Sequence, residues 1–212
     1  MDGNARQMLE RAYALKDAGE ARALYREWAQ GYDKAMLEGL GYVTPARTAQ
    51  LLAAYLPRCE ARVLDVGAGT GLAGVELARL GFTQVDALDF SAQMLAVAGS
   101  RGVYETLVEA DLMQPLPLAG NLFDAMICTG TFTHAHVGAD CLPELFRVLK
   151  PGGLFACTVH KDVWVEAGFA EMTDAMALGG TLAVLYHQPG TYYSGSQSPE
   201  GYYCIWQRKA GS

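Results

Sequence analysis

The sequence lacks the features that would place this protein in a membrane or on a nucleic acid. No apolar run reaches the roughly 20 residues that a membrane-spanning helix needs. Residues Met1 to Glu10 carry charges and no apolar stretch, so no secretory signal is expected and the cytoplasm is the expected compartment. Basic residues are outnumbered, with 16 Lys and Arg against 23 Asp and Glu and a net charge of −7. Because an acidic surface repels phosphate groups, no nucleic-acid partner is expected.

The sequence also lacks a cysteine pattern typical of disulfides or of a metal site. Its five cysteines are odd in number and include no C-x-x-C pair. Cys128, Cys157 and Cys204 lie in apolar, strand-like runs, which predicts reduced and buried thiols. His134 and His136 have no acidic or cysteine partner at a useful spacing, so no metal is expected there.

What the sequence does have is enough apolar surface for one sizeable core, since 51% of its 212 residues are apolar. We expect a single domain over residues 1–212. It would have a helical N-terminal lid segment over 1–57 and an α/β core over 58–212. Within the lid segment, Thr44 followed by Pro45 predicts an N-cap and the first residue of a helix.

From residue 58 onward, short runs rich in Val, Leu and Ile alternate with helical stretches. Short connections between them favour a parallel sheet with helices on both faces. No helix separates the last two strands, so these should form an antiparallel hairpin. The pattern predicts a doubly wound, mostly parallel seven-stranded sheet, Rossmann-like, preceded by N-terminal helices. The predicted strands are 62–66, 85–89, 105–110, 123–129, 154–160, 181–187 and 202–207, and the predicted helices are 72–80, 92–98 (capped by Ser91) and 139–149.

A glycine-rich loop follows the first predicted strand and leads into the first core helix. Gly67, Gly69 and Gly71 would let the backbone turn sharply and approach a ligand closely. Asp65 lies two residues before the first of these glycines. Its carboxylate would repel a pyrophosphate and attract an ammonium group, directly or through water. Alternatively, it accepts hydrogen bonds from backbone N–H groups of the turn.

Two further carboxylates end the next strands. Asp89 lies at the position where an acid accepts hydrogen bonds from a ribose diol, although it could instead cap the following helix. Asp111 could accept the exocyclic amine of adenine while Leu112 packs on the ring, or it could be an ordinary turn residue. Since Gly69-x-Gly71-x-x-Gly74 also matches the dinucleotide fingerprint, a NAD-dependent oxidoreductase is an alternative.

Taken together, these segments resemble the successive motifs of class I S-adenosylmethionine (SAM)-dependent methyltransferases. The resemblance extends to the methyltransferase-like proteins related to the Williams–Beuren syndrome region protein 27, through residues 28–33, 102–105 and 131–137. The class I motifs are Asp65-Val-Gly-Ala-Gly-Thr-Gly71, Asp89-Phe-Ser-Ala-Gln-Met94, Ala110-Asp111-Leu112 and Leu149-Lys-Pro-Gly-Gly153.

The resemblance implies SAM as the cofactor, with S-adenosylhomocysteine as its product, and a set of residues around it. The glycine loop would border the amino-acid part, with Asp65 beneath it, and Thr129 would lie near the sulfonium. The implied cofactor-binding residues are Asp65, Gly67, Ala68, Gly69, Gly71, Asp89, Phe90, Met94, Asp111, Leu112 and Thr129.

The remaining candidates concern the lid and the reaction. Tyr25, Trp28 and Tyr32 share one helical face, which is a core stripe or an aromatic lid over a sulfonium. Tyr25 and Tyr32 are the lid candidates. A general base is needed only if the acceptor arrives protonated, and His134 is the candidate for it.

The function expected from the sequence is SAM-dependent methyl transfer to a small molecule, by in-line displacement. The alternatives are the oxidoreductase and a SAM-binding protein without catalysis. A protein or nucleic-acid methyltransferase would be a further possibility, but no appended recognition segment is visible. The sequence leaves open the oligomeric state and whether the loop 189–201 covers a substrate or only links two strands.

Overall fold

A computed structural model describes residues 33–133 and 137–210, together with Arg11, Leu24 and Gly31. These residues form one seven-stranded sheet flanked by helices. Among them, no helix has the length and apolar character needed to cross a membrane. The predicted doubly wound α/β fold is confirmed.

The strand order across the sheet is that of a doubly wound fold with one reversed strand. In chain numbering it reads 3-2-1-4-5-7-6, so the first strand lies near the centre and the order reverses beside it. Strand 7 runs antiparallel to both of its neighbours, and the other pairs are parallel, which confirms the predicted terminal hairpin. The strands are β1 (Arg62–Val66), β2 (Gln84–Asp89), β3 (Thr106–Glu109), β4 (Phe123–Phe132), β5 (Leu149–His160), β6 (Leu182–Gly190) and β7 (Gly201–Arg208).

The helices agree with the expected pattern in the first half of the core and depart from it at both ends. Ser91 caps its helix as predicted, accepting a hydrogen bond from Met94 N at 3.3 Å. A π-helical turn at Lys34–Gly39 and two helices between β5 and β6 were not expected. The α-helices are α1 (Thr44–Tyr55), α2 (Leu72–Arg79), α3 (Ala92–Gly99), α4 (Leu142–Val148), α5 (Lys161–Glu166) and α6 (Phe169–Leu178), and a 3-10 turn at Ala139–Cys141 precedes α4.

The N-cap of helix α1 was predicted at the wrong residue. Thr44 is the first residue of α1, and Val43 occupies the N-cap position without a side-chain cap. The Thr44 hydroxyl is fully buried and donates to the carbonyl of Tyr192 at 3.3 Å. A contact between distant parts of the chain therefore takes the hydroxyl that would otherwise cap the helix.

Alternating residues of the central strands separate two apolar layers, one on each face of the sheet. Leu64 and Val66 face the layer built around Phe123, Phe155 and Trp206. Val63 and Ile127 face the other, with Leu52 of α1 and Leu77 of α2. Because side chains alternate along a strand, Asp65 lies on the second face, where α2 covers it.

The predicted buried cysteines are confirmed for the strand positions. Cys128, Cys157 and Cys204 are free thiols without solvent exposure. Burial raises the pKa of the Cys128 thiol, and that of the Cys157 thiol, well above its usual range. The thiolate is the reactive form, so these residues act as small apolar side chains.

Candidate active site

A cavity lies at the carboxyl ends of β1, β2 and β4, where parallel strands of this fold bind ligands. The space inside it and its open mouth together measure about 970 Å³. The structure brings nine of the predicted cofactor residues together on its wall. They are Gly67, Ala68, Gly69, Asp89, Phe90, Met94, Asp111, Leu112 and Thr129.

The glycine loop adopts a conformation that side chains disfavour. Gly67 and Gly69 have φ values of 65° and 56°, in the left-handed region that favours glycine. A Cβ at Gly67 would lie 2.0 Å from the Thr131 hydroxyl oxygen. A Cβ at Gly69 would meet no heavy atom within 4 Å and would occupy open space. At Gly67 and Gly69 the loop therefore presents bare backbone to the cavity, as a cradle for a closely bound ligand requires.

Two predicted residues lie behind this loop and not on the cavity wall. Gly71 is the N-cap of α2, with φ of 88°, and packs against the ring of Tyr104. Asp65 is 1% exposed, and its Oδ2 accepts hydrogen bonds from Tyr104 OH at 2.6 Å and from Gly74 N at 3.1 Å. The interpretation of Asp65 as an acceptor for turn N–H groups therefore has geometric support.

The other interpretation of Asp65, as a charge partner for an ammonium group, depends on its second oxygen. Within the described residues, Oδ1 receives no hydrogen bond. Burial raises the pKa of Asp65 from 3.8 to about 7, against the hydrogen bonds of Tyr104 and Gly74, and the nearby Asp89 raises it further. A cationic group near this carboxyl would stabilise its charged form.

Asp89 is held by two backbone donors at the end of β2. Its Oδ2 accepts Gly69 N at 2.8 Å, and its Oδ1 accepts Ser91 N at 2.9 Å. Burial raises its pKa. The carboxylate thus fixes the glycine loop and the start of α3 while it lines the cavity. Asp111 likewise closes a turn, accepting Met113 N at 2.9 Å, and lines the same cavity.

Sequence reasoning expected a lid segment over residues 1–57 but did not single out the part of it that reaches the cavity, which we call the strap (residues 33–45). Its Tyr42 and Pro45 line the cavity, and a Cβ at Gly130 of β4 would lie 2.8 Å from Tyr42 OH. Nothing in the local pattern around Tyr42 indicates this role. Its position depends on contacts with residues more than a hundred positions away.

The loop after β6 forms backbone hydrogen bonds with the strap. Val43 N donates to the carbonyl of Tyr192 at 2.9 Å, and Ser194 N donates to that of Gly41 at 2.8 Å. None of the described loop residues 191–200 lines the cavity. The loop therefore holds the strap without lining this cavity itself.

Several predicted residues are not placed in this site. Tyr25, Tyr32 and His134 lie outside the described residues, as do Trp28 and His136. Across residues 33–133 and 137–210, no group of three or more metal-ligating side chains is arranged for a metal ion.

Comparison with known proteins agrees with this geometry. A family model described as a methyltransferase domain matches residues 64–157, the stretch from β1 through most of β5. A solved structure of a putative SAM-dependent methyltransferase from Methanococcus maripaludis superposes with a TM-score of 0.69. It covers 88% of this chain and 94% of its own, at 16% identity. Residues 64–157 are thus similar to a methyltransferase domain, and the sheet has the fold of class I SAM-dependent methyltransferases, as the motifs predict.

Two curated relatives extend the comparison. The chain is 35% identical over 158 residues to methyltransferase-like protein 27 of Homo sapiens, covering 73% of this chain and 64% of that protein. It is 45% identical over 92 residues to demethylmenaquinone methyltransferase of Corynebacterium glutamicum, covering 43% of this chain and 38% of that protein. The chain thus spans less than two thirds of the length of either relative. The resemblance to the methyltransferase-like group, predicted from three short motifs, is confirmed by this 35% identity over 158 residues.

Proposed function

We propose that this protein transfers a methyl group from SAM to a small-molecule acceptor. The observation that carries the proposal is the cavity at the carboxyl ends of β1, β2 and β4. There, a glycine-rich loop meets two carboxylates, those of Asp89 and Asp111. The methyltransferase family match over the same strands supports it.

The residues present fit this cofactor. Open space beside Gly69 accommodates the amino-acid part, and Asp65 beneath the loop supplies negative charge for its ammonium. Asp89 would accept hydrogen bonds from the ribose hydroxyls, with Phe90 and Met94 packing beside the base. Asp111 and Leu112 would bind the adenine edge and face. A pyrophosphate coenzyme fits less well, since buried carboxylates repel it.

The chain's contribution to catalysis is mainly orientation and the exclusion of water. SAM supplies a methyl group already activated by the positive charge on sulfur. The protein has to hold an acceptor in line with that group, which lowers the entropic part of the barrier. Gly67, fixed against Thr131, and Tyr42, packed against Gly130, form rigid walls at the end of the cavity nearest β4.

The acceptor end of the cavity favours a neutral, partly apolar molecule. Among the described lining residues, the only charged side chains are Asp89 and Asp111, which are assigned to the cofactor. Tyr42, Pro45 and Val137 supply an aromatic and apolar surface elsewhere on the wall. A relative named for methylation of demethylmenaquinone, a small molecule, supports this acceptor class.

Binding and turnover test the proposal in sequence. Thermal-shift measurements with SAM, S-adenosylhomocysteine and NAD should show stabilisation by the first two only, because a ligand that binds the folded state raises its stability. Release of S-adenosylhomocysteine should then be measured against a panel of neutral metabolites. Tight binding without turnover on any acceptor would favour the non-catalytic alternative, and stabilisation by NAD alone would favour the oxidoreductase.

A further inference from the structure

The glycine loop is tied to the strap by a compact set of polar contacts that the proposed function does not use. Arg101, just after α3, donates from Nε to the carbonyl of Thr70 at 2.7 Å. The same guanidinium forms an ion pair with Asp33. The Thr70 hydroxyl closes the set by donating to Asp33 Oδ1 at 2.6 Å. We call these three residues the bridge.

The geometry of the bridge depends on a guanidinium. Its planar fork donates in two directions at once, to a carbonyl and to a carboxylate, which a lysine ammonium on a flexible stem does not reproduce. The side chains of Arg101 and Asp33 are only 24% and 30% exposed. Charge-assisted hydrogen bonds in such partly buried positions are stronger than those between exposed ion pairs.

The bridge lies at one end of the strap, and the cavity lies between its two ends. The strap begins at Asp33, which contacts Thr70, and Tyr42, toward the other end of the strap, contacts Gly130. Both Thr70 and Gly130 line the cavity. The far end is held by buried tyrosines and by backbone pairing with residues 192–194. The bridge fastens the near end through side chains of opposite charge.

We propose that Arg101 and Asp33 are positioning residues for the cofactor, coupling the strap to the glycine loop so that both hold the ligand together. The inference rests on the proposed function, since the ligand concerned is SAM or its product. Arg101 fixes the carbonyl of Thr70, and so the loop between Gly69 and Gly71. Asp33, the first residue of the strap, couples the strap to that part of the loop. Neither Arg101 nor Asp33 is assigned a contact with the ligand.

A double-mutant cycle on S-adenosylhomocysteine binding tests this coupling by calorimetry. Arg101→Ala and Asp33→Ala should each weaken binding about tenfold, and the double variant should be little weaker than either one, because both break the same bridge. Arg101→Lys should bind with intermediate affinity, since an ammonium replaces one contact but not both. Arg79→Ala is the matched control. It removes an exposed arginine paired with Glu76 within α2 and should leave the affinity unchanged.

Hydrogen exchange and ligand-free melting separate positioning from simple structural support. In Arg101→Ala, amides of residues 34–42 should exchange faster than in the wild type without ligand, and S-adenosylhomocysteine should slow them less. A lower melting temperature with unchanged affinity would overturn the inference, as would additive effects of the two alanine variants. Absence of S-adenosylhomocysteine binding by the wild type would instead overturn the proposed function itself, and with it this inference.

Discussion

The carboxylates at the two ends of the sheet have different partners, which are cations at one end and neutral hydrogen-bond donors at the other. Toward the amino ends of the strands, buried Asp86 forms an ion pair with Arg62 at 2.7 Å, and Asp124 forms one with Lys150 at 2.9 Å. Partial burial acts to raise the pKa of Asp124, but the hydrogen bond from Lys150 acts in the opposite direction, and the pKa is lowered overall. At the carboxyl ends, Asp65 and Asp89 accept hydrogen bonds only from neutral donors within the described residues.

This difference separates stability from binding. A buried carboxylate with a cation beside it is compensated in the folded state, whereas one held by N–H and O–H groups retains a cost for its charge. The raised pKa values of Asp65 and Asp89 report that cost. A cationic ligand at the carboxyl end would therefore stabilise the charged form of these carboxyls, and groups with such shifted pKa values concentrate at functional sites.

The largest expected effect is at the compensated end. Arg62→Ala leaves Asp86, only 2% exposed, without its cation. We expect a loss of about 3 kcal/mol of unfolding free energy, measured by urea denaturation. The affinity for S-adenosylhomocysteine should not change. An equal loss of affinity would show that the two ends are not independent.

The next effect is at the uncompensated end. Asp65→Asn keeps acceptors for Tyr104 and Gly74 N but removes the charge, so S-adenosylhomocysteine should bind about 30-fold more weakly at pH 8. Asp124→Asn is the control, and calorimetry should find its affinity unchanged. If both variants bind equally well, the negative potential beneath the loop plays no part in binding.

A pH series then isolates the cost of the Asp65 charge. Its folded pKa, about 7, lies above the ordinary value of 3.8. Its contribution to stability is therefore fully present below pH 3.8 and is lost as the pH rises through 7. The ligand-free wild type should lose up to about 2 kcal/mol relative to Asp65→Asn between pH 5 and 7, by urea denaturation. A constant difference between the two proteins would mean that Asp65 is already ionised at pH 5.

The smallest effect compares two glycines with similar backbone but different surroundings. Gly69 and Gly152 have φ values of 56° and 81°, and a Cβ at either would meet no heavy atom within 4 Å. Alanine at each should cost about 1 kcal/mol of stability. Only Gly69→Ala should also weaken S-adenosylhomocysteine binding, about tenfold, because only Gly69 lines the cavity. Equal affinities would exclude the glycine loop as the cradle.

Periodicity predicted the sheet because each core strand is a short apolar run with a turn signal beside it. The run from Leu154 to His160 illustrates this, although the strand begins five residues earlier, at Leu149. The helices α5 and α6 were missed because Gly168, with φ of 77°, interrupts a segment too short for a clear helical period.

The site was predictable where it is local and unpredictable where distant segments meet. The glycines that follow β1, and the acids at the end of β2 and just after β3, are adjacent in sequence to the turns that they form. The partner of Asp65 is Tyr104, 39 residues away, and the partner of Thr70 is Asp33, 37 residues earlier. No periodic pattern in the sequence indicates such pairs. The position of Tyr42 in the cavity wall was missed for the same reason.

The central claim is that the negatively charged, glycine-lined end of this sheet holds SAM. Calorimetric titration of the wild-type chain with S-adenosylhomocysteine at pH 8, repeated with Asp65→Asn, tests it most directly. The account predicts one saturable site in the wild type and a markedly weaker one in the variant. No heat with either S-adenosylhomocysteine or SAM, together with saturable binding of NAD, would contradict it.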